Sequence, residues 1–177
     1  MNLSSTVSNY SESQFYRFYY KGNEGARLES NRSSIPKSQL ISADSNALRR
    51  AIDTLSGIYK GSEINGKEIY NAVRAFSDTY NNMIISSGST EYHDIASLRK
   101  SIKSLSGKQQ KELEMVGITI KNSGKLSIDE DKLKESNPAR VKKLFSEDSD
   151  FMKQLNKYAK KLSGRSASSG SVIDVEA

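Results

Sequence analysis

Residues 68–85 read EIYNAVRAFSDTYNNMII, and their spacing decides the fold. Ile69, Val73, Phe76, Tyr80 and Met83 recur at steps of four, three, four and three. That alternation averages 3.5 residues, the period that keeps one apolar seam of a helix facing a partner helix. Ala72 and Ile84 widen the seam, while Arg74, Asp78 and Asn82 fall on the opposite side. Two neighbouring stretches repeat the pattern: Leu48, Ile52, Leu55 and Tyr59 on one side, Ile95, Leu98, Ile102 and Leu105 on the other. An amphipathic helix cannot bury its stripe alone, so the three are expected to pack together. Each seam side chain contributes roughly 1.5–3 kcal/mol when fully buried. The seam formed by Ile69, Val73, Phe76, Tyr80, Met83, Ile95, Leu98, Ile102 and Leu105 is the candidate interaction element.

Loops and caps set the order of elements around this centre. Ser42 or Asp44 can cap a first long helix that stops near Gly61, and Asn65-Gly66 signals a turn. The breaker cluster Ser86-Ser87-Gly88-Ser89 is short enough to turn the next helix, about 91–105, back as a helical hairpin. Gly107 marks a break before a shorter helix, 109–115. At Val116 the period changes to two. Gly117-Ile118-Thr119-Ile120, the turn residues Asn122-Ser123-Gly124 and Leu126-Ser127-Ile128 spell a small β-hairpin, about 117–128. Ser127 and Asp129 compete to cap a helix over 130–135, and Asn137-Pro138 opens another. Asp148 or Ser149 caps a last helix carrying Phe151, Leu155, Tyr158 and Leu162. Lys157, Lys160 and Lys161 are placed in its final turns, where they complement the helix dipole. The fold class is therefore mainly α, an elongated antiparallel bundle or coiled coil with one β-hairpin.

The ends read differently. Residues 1–41 are expected to be a flexible segment, 42–162 the helical domain and 163–177 a flexible Ser/Gly-rich tail. Within the first segment, Phe15 to Tyr20 crowds five aromatics into six residues. Beside Arg17 such rings can stack on nucleic-acid bases, but aromatics more often act as packing mass.

Composition narrows the function. There is no Cys, which excludes a disulfide framework, a thiolate metal site and a Cys nucleophile. No apolar run of about 18 residues suggests a membrane span, and the polar N-terminus does not read as a cleavable signal peptide. His93 is the single histidine, without the partners a catalytic triad or metal site needs. The acidic clusters at 129–131 and 147–150 lack the ligand spacing of a calcium loop and fall where helices begin. No catalytic, cofactor-binding or metal-binding set emerges. The net charge of +6 admits a polyanionic partner, with Lys153, Lys157, Lys160, Lys161 and Arg165 as one patch and Arg99, Lys100 and Lys103 as another. Interleaved Glu112, Glu114 and Glu135 dilute any continuous stripe, so nucleic acid is an unlikely partner.

Three stretches carry a family resemblance. Asn71 to Asn82 (NAVRAFSDTYNN) resembles the central helix in the C-terminal half of the bacterial flagellar filament-capping protein, hook-associated protein 2. Leu113 to Ile120 (LEMVGITI), with Ser123 to Glu130 (SGKLSIDE) and Lys132-Leu133, resembles that family's helix–strand–turn–strand signature. Leu144-Phe145 followed by Phe151 resembles its closing segment. In that family a ring of subunits sits on the filament tip and guides flagellin assembly, with long helices packed as a coiled coil beneath a variable β-rich head. The resemblance implies a non-enzymatic structural protein of the flagellum. Its partners would be itself, flagellin or other axial proteins, and it would be exported without a signal peptide. A cytoplasmic adaptor of the same fold and a basic nucleic-acid binder are the alternatives. The chain departs from the pattern: it has no head insertion, and no long N-terminal helix is expected to pair with the C-terminal one.

Overall fold

The computed structural model describes residues 16–58, 66–88 and 90–170. Phe15, Gly61, the turn at Asn65, the polar stretch 1–14 and the acidic end 171–177 lie outside the described residues. Residues 16–19 are helical, and after them come α1 (Glu24–Arg27), α2 (Glu29–Arg32), α3 (Lys37–Ile58), α4 (Gly66–Ser86) and α5 (His93–Lys108), followed by α6 (Gln110–Met115). Strands β1 (Ile118–Ile120) and β2 (Leu126–Ile128) come next, then α7 (Glu130–Glu135), α8 (Pro138–Phe145) and α9 (Asp150–Gly170). The fold is mainly α with one small antiparallel hairpin, in which Ile118 faces Ile128 and Ile120 faces Leu126.

The core is centred on α3. Its backbone lies close to both α4 and α9 along their lengths. Ala43, Ala47, Ala51 and Ala159 are buried, and these small side chains permit the close approach. Ser42 meets Ser163, and Arg49 meets Asn156, so α3 and α9 run antiparallel. This corrects two expectations. The sequence reads as lacking the long N-terminal helix that pairs with the C-terminal one in the family pattern, yet α3 and α9 are such a pair. The short Ser-rich turn predicts a tight hairpin of α4 and α5, yet α5 lies closest to α9 and α4 closest to α3. Long side chains bridge α4 and α5 instead: Tyr80 shares a 3.0 Å hydrogen bond with Ser106, and Arg99 donates to the Ile84 carbonyl at 3.1 Å.

Helix ends differ where tertiary contacts override composition. α3 starts at Lys37 rather than after Ser42 or Asp44. Pro36 supplies the carbonyl that accepts from Leu40 at 2.9 Å, and its missing N–H costs a helix start nothing. Asp44 is not a cap but a fully buried side chain. Residues 24–32, expected to be flexible, form α1 and α2. At the other end α9 continues through Ser163 and Gly164 to Gly170, where a flexible tail was expected from residue 163. Ser166 is fully buried there and its hydroxyl donates to the Leu162 carbonyl at 2.9 Å. The Ser-rich composition here serves close packing. Lys157, Lys160 and Lys161 consequently sit in the middle of α9, not its final turns. Gly107 stays helical, and the break falls at Gln109.

The caps near the hairpin follow side-chain geometry. Asp129 accepts from the Lys132 amide at 3.1 Å, Asn137 from the Ala139 amide at 2.9 Å, and Ser149 from the Met152 amide at 3.4 Å. Gly117 has φ +80°, and a Cβ there would sit 2.8 Å from the Leu133 nitrogen. No other residue type fits that junction between α6 and β1.

Candidate functional site

The predicted seam divides by depth. Val73, Phe76, Tyr80, Met83, Ile95 and Ile102 are completely buried. Ile69, Leu98 and Leu105 are half-buried against the same core. These residues hold the protein's own helices together, and their inner faces are occupied. Phe76 lies at the centre. Its ring is 5.5 Å from Phe145 of α8, edge to face, and 6.2 Å from Tyr80. Burial pushes the Tyr80 phenol above its ordinary pKa, and the Ser106 hydroxyl partly offsets this. Phe145 thus brings the closing segment onto the organising helix, 69 positions away in sequence, a contact that no local periodicity announces.

Helix α4 also carries the hairpin. Asn81 donates to the Leu126 carbonyl at 2.9 Å and accepts from the Leu126 amide at 2.7 Å. The amide side chain satisfies both backbone groups of the outer edge of β2, as a neighbouring strand would. Tyr70 reaches the next element, donating to Glu130 at 3.0 Å, and Glu130 pairs with Lys134 at 2.6 Å.

A third cluster lies where 16–36 crosses α3 and α4. Arg32 forks onto the Asp44 carboxylate, Nη1 at 3.0 Å and Nη2 at 2.6 Å. Tyr20 donates to Asp44 at 3.0 Å and accepts from Asn82 at 2.8 Å. Arg50 donates to the Tyr19 carbonyl at 2.7 Å, and Tyr16 donates to Asp78. Burial raises the Tyr20 pKa, and the Asp44 charge raises it further. Burial works against the Arg32 charge, but its bonds and attraction to Asp44 outweigh that and lift its pKa. Of the crowded aromatics, Tyr19 and Tyr20 are buried and Phe18 is exposed. Asp44, Arg32 and Asn81 carry no sequence signature of these roles. Only the improbability of a charge on the inner face of α3 hinted at Asp44.

The outer surface has few concentrated features. His93 is exposed at the start of α5. Among the described residues no group of three or more His, Asp or Glu side chains converges as a metal ligand set. None of the described helices is long and apolar enough to cross a membrane. Lys153, Lys157, Lys160, Lys161 and Arg165 are exposed along α9, with Arg165 3.7 Å from Asp94. Arg99 is tied to the Ile84 carbonyl, which removes it from a free basic patch. A shallow groove of about 520 Å³ runs between α5 and α9, lined by Asp94, Leu98, Lys161 and Arg165 among others.

These elements define a helical scaffold built on a closed core, with a hairpin and an N-terminal segment fastened to it. Residues 92–176 match the family model described as Flagellar hook-associated protein 2 C-terminus. Over that stretch the chain is similar to the C-terminal part of flagellar hook-associated protein 2. The match takes in α5, the hairpin and α9, and opens after α4, so residues 71–82 lie outside it. No curated protein and no solved structure matches the chain.

Proposed function

We propose that this chain is a non-enzymatic structural component of the bacterial flagellum that associates with itself, with flagellin or with other axial proteins, in the manner of a filament-cap protein without a head. The family match over α5 to α9 carries this reading. The closed inner core supports it further, because it leaves assembly to the outer faces of the helices, where Ile85, Tyr92 and Met115 are exposed. Export without a signal peptide, through the flagellar channel, belongs to the same proposal.

Size exclusion coupled to light scattering, with and without purified flagellin, tests it. A ring-sized assembly or a stable complex with flagellin is the expected result. A monomer indifferent to flagellin would overturn assembly at the filament tip and favour an adaptor built on the same fold.

A further inference from the structure

The methionines of the chain divide by exposure. Met83 and Met152 are fully buried, whereas Met115 is 48% exposed; Met1 lies outside the described residues. Met115 closes α6 just before the junction to β1. Its neighbours Leu113 and Val116 are buried in the core, while its own side chain meets α8, where Arg140 Nη1 donates to the sulfur. Arg140 is itself exposed. A thioether is a weak acceptor, so this surface bond adds little to stability. Its consequence is chemical: a planar cation rests against one side of an accessible sulfur.

We propose that Met115 is a reversible oxidation site, and that Arg140 directs the reaction to one face of its sulfur so that one sulfoxide epimer dominates. The oxidant is a hydroperoxide, in the simplest case hydrogen peroxide. A sulfur lone pair attacks one peroxide oxygen; the S–O bond forms as the O–O bond breaks, and hydroxide leaves. The transferred oxygen passes its proton to that hydroxide, giving sulfoxide and water. Sulfur is oxidised by two electrons and the peroxide is reduced by two. The Arg140 N–H occupies one lone pair and its guanidinium covers that side, so the peroxide reaches the other. A sulfoxide is chiral at sulfur and each class of methionine sulfoxide reductase acts on one epimer, so a single class would restore Met115. Oxidation turns an exposed apolar side chain on the outer surface into a polar one. The inference stands independently of assembly at a filament.

Full-length protein is exposed to hydrogen peroxide, quenched at intervals, digested and followed by mass spectrometry, with circular dichroism confirming that the helices persist. Met115 should be oxidised roughly tenfold or more faster than Met83 and Met152, which the core shields. Peptides from the oxidised protein are then treated with methionine sulfoxide reductase of class A or of class B. One class should reduce about threefold or more of the Met115 sulfoxide than the other. In Arg140→Ala, whose replaced side chain is exposed, the two classes should reduce nearly equal shares. Oxidation at equal rates at Met83, Met115 and Met152 in protein with an unchanged helical signal overturns the site. Equal shares in the wild type, or an imbalance that survives in Arg140→Ala, overturns direction by Arg140.

Discussion

The β-hairpin is fastened to α4 by a neutral amide, whereas the N-terminal segment is fastened to α4 by hydrogen bonds of Tyr16 and Tyr20 and to α3 by a buried charge. Asn81 completes the backbone bonding of β2 at a point where geometry alone decides the fit. Arg32 of the segment and Asp44 of α3 form an ionic bond that must offset the desolvation of both charges, with the Tyr20 hydroxyl bonded to Asp44 and Asn82 beside it. A buried ion pair is weak evidence of net stabilisation, yet breaking one partner is costly, because the other charge is left stranded. The hairpin is therefore expected to fail gradually under mutation, and the segment to fail all at once.

The helix that both depend on sets the largest effect. Phe76 is completely buried between Phe145 and Tyr80. Phe76→Asp removes about 3–5 kcal/mol of packing and cavity energy and adds an unpaired buried carboxylate. That sum reaches the whole stability of an ordinary domain. The variant should show no cooperative thermal transition by circular dichroism. A melt like that of the wild type would mean that α4 does not bury this face, and would remove the common anchor from the comparison.

Arg32→Ala comes next. Asp44 is fully buried, so stranding its charge should cost roughly 3–5 kcal/mol. Because the segment stands apart from the α3–α9 contact, the loss should be local. Hydrogen exchange should rise over residues 16–36 while amides in α5 and α9 remain protected. Uniform loss of protection across the chain would show that the segment is an integral part of the core.

How much of this was legible in the sequence follows the same division. The hairpin could be read because a change of period, a turn ending in Gly124 and the residues of β1 and β2 are local signals. The seam of α4 was legible for the same reason, and Val73, Phe76, Tyr80 and Met83 are buried where the 3.5-residue step puts them. What could not be read depends on distant partners. Ser166 resembles linker composition until α9 runs through it, with its hydroxyl buried on the Leu162 carbonyl. Asp44 looks like a cap until Arg32 and Tyr20 cover it. The α3–α9 pairing joins residues more than 100 positions apart, as Arg49 with Asn156 shows. Short loops predict neighbours in sequence, whereas close helix packing follows small side chains. On α9, the small buried Ala159 leaves room for that approach.

Asn81→Ala tests the gentler half of the comparison. Loss of the amide leaves the Leu126 N–H and C=O without their partner, at about 1–3 kcal/mol if water cannot replace it. The helices should keep their melting cooperativity with a lower midpoint, and exchange should rise at the Leu126 amide. An effect as large as that of Arg32→Ala would show that a neutral clamp can be as indispensable as an ionic one.

The smallest effect is expected at Tyr70, which ties α4 to α7 through Glu130 near the surface. Hydrogen bonding at this position competes with water at every instant, and the Glu130–Lys134 pair beside it is screened by solvent. Burial raises the Tyr70 pKa first, and its bond to Glu130 raises it further, so the phenol stays neutral at ordinary pH. Tyr70→Phe keeps the ring over which Lys134 lies at 5.7 Å and removes only the hydroxyl. Its melting midpoint should be indistinguishable from that of the wild type. A drop matching that of Asn81→Ala would place α7 among the fastened elements and make α4 the anchor of three appendages. With no drop, α7 is held by Leu133, whose side chain is buried in the core, and the polar link at Tyr70 merely decorates an apolar joint.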